Sequence, residues 1–522
     1  MEVRVAGTGD LADGQMTTVK VGDRKVLLAK VDGRFYATAA RCPHWGGPLP
    51  EGTLSGPRLL CPWHKATYDV RSGELLEPPA LDGIATYEVR VDGEDVYVDD
   101  QRRPAAGGER TGRDLSDDRM YVIVGGGAAA QAAAEELRRR GYAGRLLMVT
   151  PEDRWPYDRP NLSKDYLAGE LGEDMLPLRP PGFYEELGIE RLAGSVTKLD
   201  VAGRTAVLRD GTSLAFDAAL VATGGAPRRL DVPGADLPGV VTLRSRDDAE
   251  RLIELADAAS RVVIAGAGFI GMEVAASLRA RGLDVAVTAP DAVPFAAAFG
   301  EQVGRVVQAV HEEHGVRFAL GGTIVSMEGD GAVRGVRLED DTLLPADLVV
   351  VGIGVAPATD FVEGIDLAPD GGIPVDGQLR AAEAVWAAGD VARYRDPYSG
   401  RDVRIEHWRL AEQHGRAAAG SMSGDAAAFT GVPFFWTQHF DLQVGYAGAG
   451  RGWDEQLVLG DLDSRDFTVV FAAGDHVLAA CGTRDTELGA FMELMRLGRL
   501  PALGELKGVA HGVFAERLGA EA

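Results

Sequence analysis

Cysteine is nearly absent: the 522-residue chain has 3. Cys42, Cys61 and Cys481 cannot build a disulfide framework. No Cys-x-x-Cys occurs, which excludes dithiol chemistry of the thioredoxin kind. Positive charge is also short. Lys and Arg number 54 against 79 Asp and Glu, a net charge of −25. That balance excludes a nucleic-acid binder, which needs a basic surface. No run of about eighteen apolar residues exists, so no membrane-spanning helix is expected. The opening MEVRVAGTGD lacks the basic and then apolar order of a secretion signal. A reducing cytoplasm, where thiols stay free, is the expected location. Glycine is plentiful at 68 residues, as expected where backbone turns tightly or approaches a ligand. The length exceeds what one core supports and predicts several domains.

The first hundred residues read as β structure, with Asp-Gly hairpin turns in KVLLAKVDGRFYAT and ATYEVRVDGEDVYVDD. Residues 101–118 are almost free of apolar side chains and read as a flexible linker with a reach of roughly 25 Å. YVIVGGG, AAAQAAAEELRRRGYAG and RLLMVT then form a strand, helix and strand. RVVIAGAGFIG, MEVAASLRARG and DVAVTA repeat the unit. From about residue 430 the pattern is mixed strand and helix.

Within the β region, Cys42-x-His44 is followed sixteen residues later by Cys61-x-x-His64. Cys₂His₂ zinc is one reading, although zinc fingers place both cysteines before both histidines. The spacing resembles the Rieske iron–sulfur family. That resemblance implies that Cys42 and Cys61 ligate one iron of a [2Fe-2S] cluster and His44 and His64 the other. Two ferric ions, two sulfides and two thiolates sum to zero charge, so neutral imidazoles ease the addition of an electron. High-potential members carry a further cysteine pair where Gly47 and Trp63 stand here, and a serine at Ala66; Tyr68 matches. The departures imply a ferredoxin-type domain of lower potential.

Gly125-x-Gly127-x-x-Ala130 and Gly266-x-Gly268-x-x-Gly271 each follow a strand and open a helix. In that context each predicts a pyrophosphate cradle of backbone N–H groups at a helix N-terminus. Glu152, beyond the next strand, is placed to bind an adenosine ribose. WPYDRPNLSKDYLAGE, LVATGGAPRRL, VWAAGDVA, RIEHWRLAEQHG and PFFWTQHFD resemble NAD(P)H-dependent ferredoxin reductases and apoptosis-inducing-factor-like flavoproteins. The resemblance implies that Arg159, Lys164, Thr223, Gly224, Asp390, Glu406, His407, Trp408 and Trp436 lie by FAD. It implies that Glu273 lies near the nicotinamide, with Lys164 and Glu273 as the catalytic pair. After the second unit Ala289 stands where an NADH-selecting acid is common, and Asp291 follows; NADH is weakly favoured over NADPH.

His311-Glu312-Glu313-His314 does not fit the metalloprotease spacing, which needs His at i and i+4. The expected architecture is multidomain. An all-β Rieske domain (1–100) and the linker (101–118) precede two α/β Rossmann-like domains. These are an FAD-binding domain (119–242 and 359–429) and an NAD(P)H-binding domain (243–358). An α+β C-terminal reductase domain (430–522) follows. The expected activity is an NAD(P)H:ferredoxin-type reductase passing electrons through FAD to its own cluster, then to an oxygenase or cytochrome. Two alternatives stand: an NAD(P)H oxidase or quinone reductase, and a redox sensor. The acceptor and the oligomeric state are left open.

Overall fold

The computed structural model describes residues 1–450, 452–509 and 512–519. Three small antiparallel sheets build the N-terminal region. Asp32 and Gly33 both take positive φ, 52° and 72°, as a two-residue hairpin turn of this twist requires. They join strands Arg24–Val31 and Arg34–Ala39. A separate sheet of Thr53–Ser55, Arg58–Leu60, Thr67–Asp69 and Leu75–Glu77 carries the loops with both Cys-His pairs.

Next comes a sheet ordered Ile189–Ala193, Arg145–Thr150, Met120–Val124, Ala218–Val221, Val385–Ala387, Arg380–Ala382. Its first five strands are parallel. YVIV is buried throughout, the expected pattern for a strand covered on both faces. A second, wholly parallel sheet is ordered Val240–Val241, Leu348–Val351, Arg261–Ala265, Asp284–Ala289, Arg317–Leu320. A five-stranded antiparallel sheet runs from Phe434–His439 to His476–Gly482, with helix Asp485–Arg496 after it. Among the described residues no helix is long and apolar enough to cross a membrane.

Small residues place the site. The alanine-rich helix Ala128–Arg139 packs against helix Trp408–Met422. A Cβ on Gly415 would lie 2.3 Å from the Ala129 carbonyl oxygen. The two backbones therefore touch, and the start of the second helix is carried to the mouth of the first glycine turn.

The N-terminal region keeps its own apolar cluster around Leu27, Leu59, Tyr68 and Val70. The second parallel sheet and the C-terminal sheet instead share one, which joins Ile264, Met272 and Phe299 to Phe435, Val444 and Phe471. The N-terminal region is fastened to the rest by polar contacts. Fully buried Arg409 donates to the carbonyls of Pro78, Val432 and Lys65 at 2.9, 3.1 and 3.2 Å, and to Glu77 at 2.6 Å. Arg58 pairs with Glu77 and with Glu493. Lys65, wholly buried, pairs with Asp485 at 3.1 Å. Arg110 and Arg179 both hold Asp82 and Glu135. Arg110 thereby pins the 101–118 segment, and Arg103 exchanges backbone bonds with Thr86.

Burial acts to raise the carboxyl of Glu77, but Arg409 and Arg58 outweigh it and hold it at about 2. A carboxyl depressed in the folded state contributes stability above its ordinary pKa, and loses it as pH falls. The N-terminal docking is therefore expected to weaken between about pH 4.5 and about pH 2. At neutral pH, Glu77→Ala strands Arg409 and should cost about 3–5 kcal/mol. Thermal unfolding checks this: one transition in the parent chain, two in the variant. A single unshifted transition would show that the pair does not fasten the domains.

Candidate cluster and dinucleotide site

The four predicted metal ligands come together. Cys42 and Cys61 are buried and lie side by side. The hydrogen bond from Cys61 lowers the Cys42 thiol to about 7, assisted by Tyr68 and the amides of His44 and Trp45, while burial opposes. Cys61 is raised, chiefly by sharing the same proton. Tyr68 Oη lies 3.1 Å from Cys42 Sγ. His44 and His64 present their Nδ1 atoms to each other at 3.1 Å. Burial lowers His44 to about 4 and His64 well below its ordinary value, so both rings are neutral, the ligating form.

The donors thus stand as a thiol pair and an imidazole pair. Among the described residues no three His, Cys, Asp or Glu side chains converge as a single-ion site. Two pairs fit a two-iron cluster, in which each iron takes two protein ligands, rather than zinc with four at one point. A Cβ on Gly47 would meet Cys61 Sγ at 2.7 Å, and Trp63 lies beside it. Lys65 follows the second loop in a left-handed conformation, φ 60°, costly for a side chain. Its ammonium, lowered by burial against the pull of Asp485, places a cation behind Cys61.

A cavity of about 970 Å³ runs between the two parallel sheets. It is lined by Gly125, Gly127, Glu152, Arg159, Lys164, Thr223, Gly224, Gly268, Glu273, Asp390, Glu406, His407, Trp408 and Trp436. Ala130, Gly266 and Gly271 are not on its wall. They act one layer behind: a Cβ on Gly271 would sit 2.2 Å from the Gly266 carbonyl, and Ala130 is fully buried. The first turn fits a pyrophosphate. Gly125 has φ 138°, and a Cβ there would meet the Ala222 carbonyl at 2.1 Å. A Cβ on Gly127 would meet nothing within 4 Å, so its backbone faces open space at the helix start.

Several charged groups on the wall are paired. Glu152 accepts from Arg159 at 2.8 Å and from Tyr157. Asp390 accepts from Arg244 at 2.9 Å. Thr223 donates to the Ala358 carbonyl. Glu406 accepts from Arg404, and His407 stacks on Phe435 at 3.7 Å. Glu273, 4% exposed, accepts from Lys164 at 2.7 Å, Ser163 at 2.6 Å and Thr437 at 2.7 Å.

Trp436 belongs to both sites. Its ring lines the large cavity, and its centroid lies 4.1 Å from that of His64. A smaller cavity of about 280 Å³ brings Trp436 and Trp408 together with His44, Trp45, Trp63, His64 and Lys164. The imidazole edges, expected to face an outside partner, thus face the protein's own cavity wall. Sequence reading missed Arg244, Thr437, His439, Lys65 and Arg409. Each is an isolated residue whose partner is remote in the chain; only TLRSRD, with two arginines beside a helix cap, offered a signal.

A dinucleotide-sized cavity with two glycine turns, beside a cage of paired thiols and imidazoles, defines a redox protein that couples a nucleotide cofactor to a two-iron centre. Residues 119–415 match the pyridine nucleotide-disulphide oxidoreductase family, and residues 1–88 match the Rieske [2Fe-2S] domain. Apoptosis-inducing factor 3 of Homo sapiens is 36% identical over 515 residues, 96% of this chain and 84% of that one. Rhodocoxin reductase of Rhodococcus erythropolis is 36% identical over 66% of this chain and 81% of its own. The crystal structure of the ferredoxin reductase for the CYP199A2 system from Rhodopseudomonas palustris superposes with a TM-score of 0.72 at 31% identity. It covers 78% of this chain and 100% of that one. The chain belongs to the pyridine nucleotide-disulphide oxidoreductase family, joined to a Rieske [2Fe-2S] domain, and its cofactors are FAD and the cluster.

His64→Ala should abolish the cluster's visible and EPR signals, because one iron loses half of its protein ligands. Bleaching of the flavin by NADH should persist, since His64 does not line the large cavity. Loss of both signals together would mean that the two sites do not form independently.

Proposed function

We propose that this protein is an NAD(P)H:ferredoxin-type reductase whose ferredoxin is its own N-terminal domain, delivering electrons onward to an external acceptor such as an oxygenase or cytochrome. The observation that carries the reading is the Trp436 ring, in the wall of the dinucleotide cavity and against His64. FAD supplies acceptance of a hydride from the nicotinamide and release of electrons singly, and the cluster supplies a one-electron carrier.

The chain's own part is positioning. The two glycine turns and helix N-termini open on one cavity, and would hold the two pyrophosphates there. Hydride transfer needs close approach rather than an acid or base, and no residue is assigned that role. Lys164 and Glu273 work as a unit. The carboxylate fixes the ammonium by a 2.7 Å bond, and the cation favours electron density placed beside it. Arg159, held by Glu152 and the Arg244 carbonyl, adds a second fixed cation. The ring of Trp436 then spans the gap from cavity to His64. The ion pairs around Arg409 and Lys65 hold the two domains in the register that keeps this ring contact. With the cluster bound, the buried Lys65 ammonium, in the loop that carries Cys61 and His64, would favour its reduced, more negative state.

NADH is the favoured donor. Asp291 is exposed just beyond the strand that ends at Ala289, and a carboxylate there repels a 2′-phosphate.

Trp436→Leu is expected to leave bleaching by NADH at the parent rate and to slow cluster reduction by about tenfold or more, some 1.4 kcal/mol of barrier. Anaerobic stopped-flow spectroscopy separates the two signals. Unchanged cluster reduction would remove Trp436 from the path. Turnover faster with dioxygen or a quinone than with a cytochrome, and unaffected by loss of the cluster, would favour an oxidase or quinone reductase instead.

A further inference from the structure

We propose that Lys65 is a positioning residue through which the reductase body sets the potential of the Rieske cluster. Its consequence for turnover rests on the reading that this cluster takes electrons from NADH by way of the flavin. Lys65 directly follows His64 and lies four residues after Cys61.

Elements far away in the chain grip this one residue. Its backbone carbonyl accepts from Arg409 Nη2 of helix Trp408–Met422 at 3.2 Å, and from Thr67 Oγ1 at 3.0 Å. Its ammonium lies 3.1 Å from Oδ1 of Asp485, the first residue of helix Asp485–Arg496. The same nitrogen sits 5.0 Å from the ring centroid of Phe434, in the C-terminal sheet. It also donates to the carbonyl of Pro62, inside the loop that joins Cys61 to His64. One side chain therefore ties the C-terminal domain to the peptide between two cluster ligands.

Neither the turn nor the fastening requires a lysine. Lys65 has φ 60°, a conformation that glycine adopts without strain. Such strain persists where the surroundings over-determine it, and it points to a use for the side chain. That side chain has no exposure to solvent. Carboxylate, carbonyl and ring must replace the hydration that the ammonium has lost, and a buried pair of this kind adds little net stability. Arg409–Glu77 and Arg58–Glu493 already join the domains. What Lys65 adds is a fixed cation beside the ligand loop. The oxidised core sums to zero charge with two thiolates and two neutral imidazoles, and one electron makes it −1. A nearby cation attracts the second state and not the first, so it raises the potential. The Asp485 carboxylate partly cancels that field. Lysine and aspartate thus act in opposite senses, and the aspartate belongs to the domain whose Trp436 lines the dinucleotide cavity. The potential is then a property of the docked pair rather than of the Rieske domain alone.

An EPR-monitored redox titration of the reconstituted full chain tests this, with dithionite and mediators in place of NADH. Lys65→Met should make cluster reduction about tenfold less favourable, a fall of about 59 mV for one electron. Lys65→Arg keeps the cation and should stay near the parent midpoint. Asp485→Asn should move the midpoint upward, because the ammonium stays with Pro62 and Phe434 but loses its counter-charge. The flavin midpoint should hold in every variant, since neither Lys65 nor Asp485 lines the large cavity. A cluster midpoint unchanged by both Lys65→Met and Asp485→Asn would overturn the proposal. A fall in both would also overturn it, as would an equal fall in Lys65→Met and Lys65→Arg, since loosened packing then explains the change. Asp485 is 29% exposed, so its variant reports even where Lys65→Met fails to hold the cluster. Opposite shifts in the two variants, with no cluster reduction by NADH, would uphold the assignment of Lys65 and overturn the functional reading alone.

Discussion

One guanidinium holds the arrangement together. Arg409 has no exposure to solvent, and its hydrogen bonds reach two separate segments: residues 65–78 of the Rieske domain, through the Lys65 and Pro78 carbonyls and the Glu77 carboxylate, and Val432 ahead of the C-terminal sheet. An arginine suits this place because its planar fork of five donors can serve several acceptors at fixed angles, which an ammonium cannot. Desolvating it is costly, and the carbonyls and Glu77 must offset that cost. The interface is therefore specific in register even though the two sides keep separate apolar clusters.

That register decides what Trp436 touches. A domain fastened through Arg409, Lys65–Asp485 and Arg58–Glu493 presents His64, rather than another part of its surface, to the cavity wall. A linker alone supplies effective concentration. Fixed ion pairs supply orientation as well, and electron exchange between two centres depends on both. The same fastening turns the imidazole edge inward. On the proposed function, an outside acceptor meets the rim formed by Trp63, which is 36% exposed, or the smaller cavity behind it.

Much of the site was legible in the sequence because its parts are short and local. The two Cys-His pairs lie in two short loops, one leading into and one within a single small sheet, and the glycine turns each sit between a strand and its helix. The structure brings the cluster ligands into two facing pairs and puts eleven further segments of wall around one cavity. What could not be read are pairings across long separations. Arg409 and Glu77 are 332 residues apart, Lys65 and Asp485 are 420 apart, and His311 and His439 are 128 apart. No local period marks such residues. Lys65 is instructive, since it occupies a left-handed position that favours glycine, and only the structure supplies the partner that offsets the strain. His311 shows the converse: the spacing argues against zinc, and the structure turns this buried histidine inward onto His439 of a distant strand.

The central claim is that electrons reach the cluster within one chain, across a contact already formed. Its most direct test is the rate of cluster reduction by NADH, measured without oxygen over a wide range of protein concentration with EPR detection of the reduced iron pair. The account predicts a first-order rate that does not change on dilution. A rate that falls in proportion to protein concentration would show that the cluster is reduced by another molecule, and the docked path would not be the working one.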